Sequence, residues 1–315
     1  MRHARLALLL AALLAAHSGA AADTLKIASP QRGSWEGAIP ELGQQQGIFR
    51  KHGLDLDILY TSGGGETLQA VVSGAVDIGL SAGTSGVFGA FAKGAPLRII
   101  GASSTGSAET FWYVLAKSPI RSMREANDVT IAYSTTGAST HIAVMSFIRE
   151  YGLKAKPVAT GNPTATVTQV MTGQVDIGWA VAPFQLDAVD KGEVRFLARA
   201  GDIAALRAQT IRVQITNART LAERKDAIVR YLAAYRETLD WMYAAPEAIQ
   251  RYMAFSGFSE AAVRLMLRDF IPKESLQVDA VKGIKEATDD SIQFKFLTAP
   301  LTDEQLKELI QIPKG

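Results

Sequence analysis

A hydroxyl-rich turn is the first feature of the chain that could bind a small molecule. Residues 133–140 are Tyr-Ser-Thr-Thr-Gly-Ala-Ser-Thr; they follow an apolar run that predicts a strand and precede a helix expected over 141–151. Free backbone N–H groups at a helix start, together with hydroxyls, favour an anion. Alternatively, these serine and threonine residues could simply cap the N-terminus of the helix. We expect ligand contacts from Ser134, Thr135, Thr136 and Ser139.

A second group of polar residues is expected at the same crevice. Ser81, Gly83 and Thr84 end another predicted strand and open another helix, so their donors would face the ligand as well. Glu109 lies in the run Ser-Ala-Glu-Thr-Phe at 107–111, after the predicted strand at 97–102. Its carboxylate could pair with an amine of the ligand, or it could be a solvated carboxylate.

Aromatic side chains are expected to cover the apolar part of the ligand. Ser34 and Trp35 follow the first predicted strand, where a tryptophan in a polar turn has no helix or strand face to fill. Trp179 ends a later strand and would approach the ligand from the opposite side, unless it packs in the core. Pro183 and Phe184 follow it and complete the expected ligand-binding set.

The elements that position these residues alternate between strand and helix. Short apolar runs at 25–28, 76–80, 97–102, 129–133, 175–180 and 194–198 are separated by helical patterns. Such alternation predicts mostly parallel sheets flanked by helices, with ligands bound at the carboxyl ends of the strands. From residue 223 onward the apolar spacing is helical, which predicts a helical C-terminal segment.

An internal repeat indicates two similar halves. Residues 71–79, Val-Val-Ser-Gly-Ala-Val-Asp-Ile-Gly, align with residues 170–178, Val-Met-Thr-Gly-Gln-Val-Asp-Ile-Gly, at six of nine positions. Gly74 and Gly173 suit the left-handed position that ends a helix. Asp77 and Asp176 begin strands at the end remote from the crevice, so we expect them to be structural and not catalytic.

The composition excludes several classes of function. The chain has 315 residues, 48% apolar, 20% charged and no cysteine, so disulfides, thiolate metal sites and cysteine nucleophiles are excluded. Residues 1–22 have the pattern of a cleavable signal peptide, and Arg2 and Arg5 within them account for the excess of 33 basic over 31 acidic residues. No basic surface for nucleic acid is therefore expected.

Candidate catalytic groups are sparse. His52 and His141 are far apart in sequence and have no partner at metal-ligand spacing, and no Gly-x-Ser-x-Gly motif follows a strand. The glycine run at 63–65 lacks the lysine of a phosphate-binding loop. We expect no catalytic residue, no metal and no cofactor.

The ordered motifs resemble the periplasmic substrate-binding proteins of ABC importers for taurine, alkanesulfonates and nitrate, a family that also includes binders of thiamin-pyrimidine precursors. The resemblance is carried by residues 47–54, 68–79, 94–98, 133–139 and 175–183. It implies an α/β clamshell of type II, with one lobe at 23–113 plus 217–315, the other at 114–216, and crossings at 113–117 and 213–217. The tryptophan that the taurine binders carry after the second repeat is replaced by Val181 in this chain, which implies a ligand of different shape.

The same resemblance implies what the protein does. It would be a monomer in the periplasm that captures a small anionic solute, a sulfonate or a nitrate-like ion, and delivers it to the permease subunits and ATPase of an ABC transporter. Two alternatives remain at this point. One is an enzyme on the same fold acting on a small aromatic or pyrimidine metabolite, and the other is the sensing partner of a separate receptor.

Overall fold

The computed structural model describes residues 22–313, so the expected signal peptide lies outside the described residues but for its last position. Strands and helices alternate through the first two-thirds of this region. The strands are β1 (Asp23–Pro30), β2 (Leu54–Thr61), β3 (Ile78–Gly83), β4 (Leu97–Thr105), β5 (Thr110–Leu115), β6 (Thr130–Tyr133), β7 (Lys156–Ala159), β8 (Gly178–Val181), β9 (Val194–Arg199) and β10 (Thr210–Asn217).

The helices carry the expected alternation and then form the C-terminal segment. They are α1 (Ile39–Gln45), α2 (Ile48–Lys51), α3 (Gly64–Val72), α4 (Thr84–Ala92), α5 (Ser139–Tyr151), α6 (Pro163–Met171), α7 (Leu186–Asp190), α8 (Ala204–Arg207), α9 (Ala218–Glu223), α10 (Lys225–Ala244), α11 (Pro246–Ser256), α12 (Glu260–Asp269), α13 (Ile284–Gln293) and α14 (Asp303–Leu309). Short 3-10 turns lie at Met123–Glu125, Ala200–Asp202 and Lys273–Leu276.

The first sheet has five strands in the order β2-β1-β3-β10-β4. β1 pairs in parallel with β2 and β3, and β10 pairs antiparallel with β3 and β4. Four strands therefore run the same way and only β10 is reversed, as the prediction of a mostly parallel sheet requires.

The second sheet repeats this arrangement. β5 lies between β8 and β9 in antiparallel pairing, and β6 pairs in parallel with β7. A parallel bridge between Ile131 and Ile177 joins β6 to the residue before β8. The order is thus β7-β6-β8-β5-β9, again with a single reversed strand, which here is β5.

The chain passes twice between the two sheets. β5 pairs only within the second sheet and β10 only within the first, so these passages lie at 106–109 and 200–209. The lobe boundaries themselves, with crossings at 113–117 and 213–217, stay a prediction.

The repeat has the predicted geometry. Gly74 and Gly173 adopt φ angles of 75° and 72° just after α3 and α6. The Asp77 carboxylate accepts the backbone N–H of Lys26 at 2.8 Å, and that of Asp176 accepts the N–H of Thr130 at 2.8 Å. Each aspartate thus ties the start of its strand to the neighbouring parallel strand, far from the carboxyl ends.

The C-terminal helices cover the first sheet. The predicted amphipathic helix over 223–243 is α10, and its apolar face is buried: Ile228, Tyr231, Leu232, Tyr235, Leu239 and Met242. One apolar cluster runs from the first sheet under α10 into the second sheet, so the two halves share packing at their junction.

Candidate functional site

The carboxyl ends of the parallel strands of both sheets face each other across a small closed cavity of about 10 Å³. That volume holds about one water molecule, so the two halves must separate before a solute can enter. The lining comes from both halves: Gln31, Gly64, Ser81, Thr110, Ser134, Ala138, Ser139, Thr140, Trp179, Val181 and Arg212.

Two helices begin at this cavity, one from each half. The first residues of α3 and α5, Gly64 and Ser139, line it. The backbone N–H of Gly65 donates to Thr135 Oγ1 at 3.0 Å across the two halves. Converging helix starts concentrate free N–H groups and the positive ends of helix dipoles, which is an environment for an anion.

Glycines allow the helix starts to meet. A Cβ on Gly65 would lie 2.2 Å from the carbonyl oxygen of Thr136, and one on Gly83 would lie 2.2 Å from that of Gly137. Real Cβ atoms do not approach so closely, so any other residue at either position would force the halves apart.

A buried group of charges lies at one end of the cavity. Arg212 on β10 contacts Glu36 in the loop after β1, at 2.9 Å between Nη2 and Oε2, and its Nη2 also bonds Glu109 Oε1. Glu36 also accepts a hydrogen bond from the Ser81 hydroxyl. Arg212 is 7% exposed, Glu36 5% and Glu109 1%. We call Glu36, Glu109 and Arg212 the buried triad.

Burial and charge shift the pKa values of Glu36 and Arg212. Burial raises the pKa of Glu36 above its ordinary value, and the nearby Arg212 only partly opposes this. Burial alone would lower the pKa of Arg212, but Glu109 and Glu36 more than offset it and raise that pKa. The guanidinium is therefore always charged, and its charge is already met by two carboxylates.

Unpartnered polar atoms surround the triad. Among the described residues, Glu109 Oε2, Arg212 Nε, Gln214 Oε1 and the hydroxyl of Tyr235 are buried without a hydrogen-bond partner. Buried polar atoms are normally paired, because an unpaired one costs about 1–3 kcal/mol. Several unpaired polar atoms beside one cavity indicate that a bound ligand supplies their hydrogen-bond partners.

The structure brings four of the sequence-predicted site residues to the cavity: Ser81, Ser134, Ser139 and Trp179. Ser134 Oγ and Thr140 Oγ1 are 2.8 Å apart, and Trp179 Nε1 donates to Thr160 Oγ1 at 3.2 Å. Ser139 makes no comparable bond within the described residues, which leaves its hydroxyl available to a ligand.

Trp35 is not where the sequence analysis expected it. Its side chain is fully buried and packs edge-on against Tyr252 at 4.7 Å and Tyr243 at 5.6 Å between ring centroids. The end of α10 and helix α11 provide a core face that the local sequence does not show. Trp35 therefore does not oppose Trp179 across the cavity.

Other predicted residues lie near the cavity without lining it. Thr136 is exposed, and Thr84 donates to the Thr210 carbonyl at 2.7 Å. Ser34 Oγ accepts the N–H of Gly37 at 3.1 Å within its own loop. Gly83 and Thr135 lie where the two halves meet: Gly83 lies against the carbonyl of Gly137, and Thr135 accepts the N–H of Gly65.

Phe184 and Pro183 follow β8 at the rim. The Phe184 ring packs edge-on against Phe258 at 4.9 Å, which joins the second half to the C-terminal segment. On another part of the junction, Arg149 of α5 pairs with Asp290 of α13 at 2.8 Å. These contacts hold the halves together outside the cavity.

Arg212 and Glu36 are the important residues that sequence analysis missed. The available signal was a lone arginine within the otherwise uncharged strand 210–217, because a charge in a buried strand must have a partner. Glu109 was singled out, but as a ligand contact and not as a partner of Arg212.

His52 and His141 are the histidines within residues 22–313. This range contains no cluster of three or more His, Asp or Glu that could hold a metal. His141 stacks on Tyr133 at 4.3 Å, and burial lowers its pKa. His52 pairs with Glu237 at 2.8 Å on the surface. Within the same range, every helix is too short or too polar to cross a membrane.

A sequence model of the family described as NMT1/THI5 like matches residues 41–249. None of the curated proteins compared with the chain matches it.

Solved structures share the fold at low identity. The alkanesulfonate-binding protein SsuA of Xanthomonas axonopodis pv. citri, bound to MOPS, has a TM-score of 0.78 at 18% identity, over 94% of this chain and all of its own. The periplasmic nitrate-binding protein NrtA of Synechocystis PCC 6803 has a TM-score of 0.66 at 14% identity, over 92% of this chain and 86% of its own. The desulfurization enzyme DSZB has a TM-score of 0.63 at 13% identity, over 90% of this chain and 95% of its own. The chain thus has the two-lobed fold of periplasmic binding proteins.

Proposed function

Because the chain belongs to the NMT1/THI5-like family, we propose that it is the solute-binding protein of an ABC importer. In this role it captures a small anionic solute, a sulfonate or a nitrate-like ion, between its lobes. It then delivers the solute to the permease subunits, which an ATPase drives.

The observation that carries this proposal is the cavity where two helix N-termini, one from each half, converge. α3 belongs to the half of the first sheet, and α5 to the half of the second. An anion bound there would receive N–H groups from both halves at once. It would therefore stabilise the closed arrangement relative to an open one, which is how a ligand drives lobe closure.

We assign the lobes from the passages between sheets. One lobe comprises residues 23–105 and 210–313 and the other residues 110–199, a shift of several residues from the boundaries expected from the sequence. Residues 106–109 and 200–209 form the hinge. The periplasm as the location, export through residues 1–22, and action as a monomer belong to the same proposal.

Binding is favoured over catalysis by the composition of the cavity. Among the described residues that line it there is no histidine and no lysine, and its one arginine is held by two carboxylates. The family fold also occurs in an enzyme, so the assignment depends on this cleft and not on the fold.

A thermal-shift screen followed by calorimetric titration tests the proposal. Sulfonates, nitrate, sulfate esters, aromatic acids and pyrimidines are added to the protein that begins at Asp23. A solute at 100 times its Kd stabilises the protein by about 2.7 kcal/mol, so one class should raise the Tm clearly.

A matched pair of variants locates the effect. Ser139→Ala removes a hydroxyl at the cavity and should weaken binding about fivefold, the equivalent of one hydrogen bond. Thr136→Val removes a hydroxyl from the exposed part of the same turn and should bind as wild type does. If no solute class raises the Tm, or both variants bind equally well, the proposal is wrong.

A further inference from the structure

We propose that Arg149 and Asp290 form a latch that holds the two lobes closed whether or not a solute is bound, and thereby limits the rate at which a solute enters. The inference rests on the proposed function, in which the lobes open and close around a solute. It concerns contacts outside the cavity, so it does not depend on which solute binds.

The two sides of the latch belong to different lobes. Arg149 lies in the last turn of α5, whose first residue, Ser139, lines the cavity. Asp290 lies in α13, which packs against α4 and β10 of the lobe that holds the first sheet. Closure of the lobes therefore brings α5 against α13, and separation of the lobes takes Arg149 away from Asp290.

The end of α13 offers three groups to the guanidinium of Arg149. Positions 290, 293 and 294 have the three- and four-residue spacing that places side chains on one helix face. Arg149 Nη1 donates to Asp290 Oδ1 and to Gln293 Oε1, each at 2.8 Å. The guanidinium carbon lies 5.2 Å from the centroid of the Phe294 ring. A carboxylate, an amide oxygen and an aromatic face all attract a guanidinium, so Arg149 has a complete binding site on the opposite lobe.

Asp290 is held in place by the hinge. Its side chain is 5% exposed, and its Oδ2 accepts a hydrogen bond from Gln209 Nε2 at 3.0 Å. Gln209 is the last residue of the hinge passage 200–209, and its Nε2 also donates to the carbonyl of Ala205 at 3.0 Å. When the lobes separate, Asp290 keeps the bond to Gln209 but loses its cation. Because a buried carboxylate without a cation is unfavourable, this position opposes opening.

A second contact lies near the other end of α5. The ring of Phe296, three residues beyond α13, packs edge-on against the ring of His141, with 5.7 Å between centroids. Helix α5 is thus held by the C-terminal segment at its first turn and at its last. Of the described residues that line the cavity, none belongs to these two contacts. The contacts therefore stabilise the closed arrangement equally with and without a solute.

This independence from the solute determines the kinetics that the latch should produce. The closed cavity holds about one water molecule, so a solute enters and leaves through an open arrangement. A contact that favours closure equally in the free and the bound protein lowers the open fraction of both. Loss of the latch should therefore raise the association and dissociation rates together and change Kd less than either rate.

A distance measurement between the lobes tests the latch without a solute. The chain has no cysteine, so Leu59→Cys in one lobe and Met171→Cys in the other, at positions that are 50% and 66% exposed, can carry a donor and an acceptor dye. Single-molecule FRET then counts closed and open molecules. We expect Arg149→Met to lower the ratio of closed to open molecules at least about tenfold. Asp290→Asn, which keeps an acceptor for Gln209, should shift the ratio in the same direction.

Arg224→Met is the matched control. Arg224 pairs with Asp77 at 2.9 Å within one lobe, and the two side chains are 30% and 20% exposed, so the variant loses a partly buried ion pair but no contact between lobes. We expect its FRET distribution to match that of wild type. In stopped-flow mixing with the sulfonate or nitrate probe that gives the largest thermal shift, Arg149→Met should raise both rates at least about fivefold, and Arg224→Met should change neither by more than about twofold.

The outcomes separate the latch from the proposed function. An unchanged FRET distribution in both Arg149→Met and Asp290→Asn, or an equal shift in Arg224→Met, would overturn the latch and leave the proposed function standing. A dissociation rate that rises while the association rate stays constant would also overturn it, because the ion pair would then act on the bound protein only. If no solute class binds, the proposed function is wrong, and the FRET distributions still decide whether Arg149 and Asp290 hold the lobes closed.

Discussion

Replacing Arg212 with methionine tests whether the buried triad is a coupled charge network. The variant keeps an unbranched side chain of similar length but removes the positive charge, so Glu36 and Glu109 remain buried with no cation beside them. Both are at least 95% buried, with exposures of 5% and 1%. Removing one partner from a buried ion pair typically costs about 3–5 kcal/mol.

The expected loss is large enough to measure by thermal unfolding at pH 7 without solute. For a protein of roughly this size, 1 kcal/mol corresponds to about 2–4 °C in Tm. Arg212→Met should therefore lower the Tm by roughly 6–20 °C.

The control removes the whole network. In the triple variant Glu36→Gln, Glu109→Gln, Arg212→Met all three groups are neutral, and replacing a complete buried ion network is often neutral for stability. The triple variant should therefore regain most of the lost Tm. If Arg212→Met melts within about 2 °C of wild type, or if the triple variant is no more stable than the single one, the triad does not act as described.

Three further predictions follow from single features of the structure. Burial raises the pKa of Glu36 above its ordinary 4.5, so its contribution to stability is complete below pH 4.5 and is lost as pH rises. Urea unfolding at pH 4 and pH 8 should therefore show that wild type loses stability relative to Glu36→Gln at the higher pH. A relative gain in the stability of wild type at pH 8 would contradict the raised pKa. Gly65→Ala should leave the Tm of the ligand-free protein unchanged or raised, because alanine favours the helix. The variant should bind the solute more weakly and show a larger radius of gyration with solute in X-ray scattering, because its Cβ would meet the carbonyl of Thr136. Unchanged affinity would refute the contact between the lobes. Asp77→Asn and Asp176→Asn should lower the Tm, while the affinity for the solute in calorimetric titration stays within about tenfold of wild type. A larger loss of affinity with an unchanged Tm would place these residues in the cleft.

The fold was largely predictable because its signals are local. Apolar runs, helical spacing and the glycines at 74 and 173 each depend on a few neighbouring residues, and the structure confirms them. The passages between the sheets are harder to predict, because an apolar strand has the same sequence pattern in either sheet. Which sheet it joins is decided by pairing with strands far along the chain.

The site was less predictable because its decisive contacts are long-range. Arg212 meets Glu36 and Glu109 across 176 and 103 positions of sequence, and no local pattern indicates that pairing. Trp35 was misjudged for the same reason: Tyr243 and Tyr252, which enclose it, come from helices about 200 residues away. The hydroxyl turn at 134–140 did lead to the cavity, since the end of a strand and the start of a helix are visible in the sequence.

Binding of the solute between the two sheets is best tested by a crystal structure of the protein with the solute that gives the largest thermal shift. We expect electron density for the solute between the two sheets, with its anionic group at the helix starts near Gly64 and Ser139. The lobes should then be further apart locally than the present cavity of about 10 Å³ allows. Density for the solute on an outer face of either lobe, with the cleft between the sheets unchanged, would contradict the account.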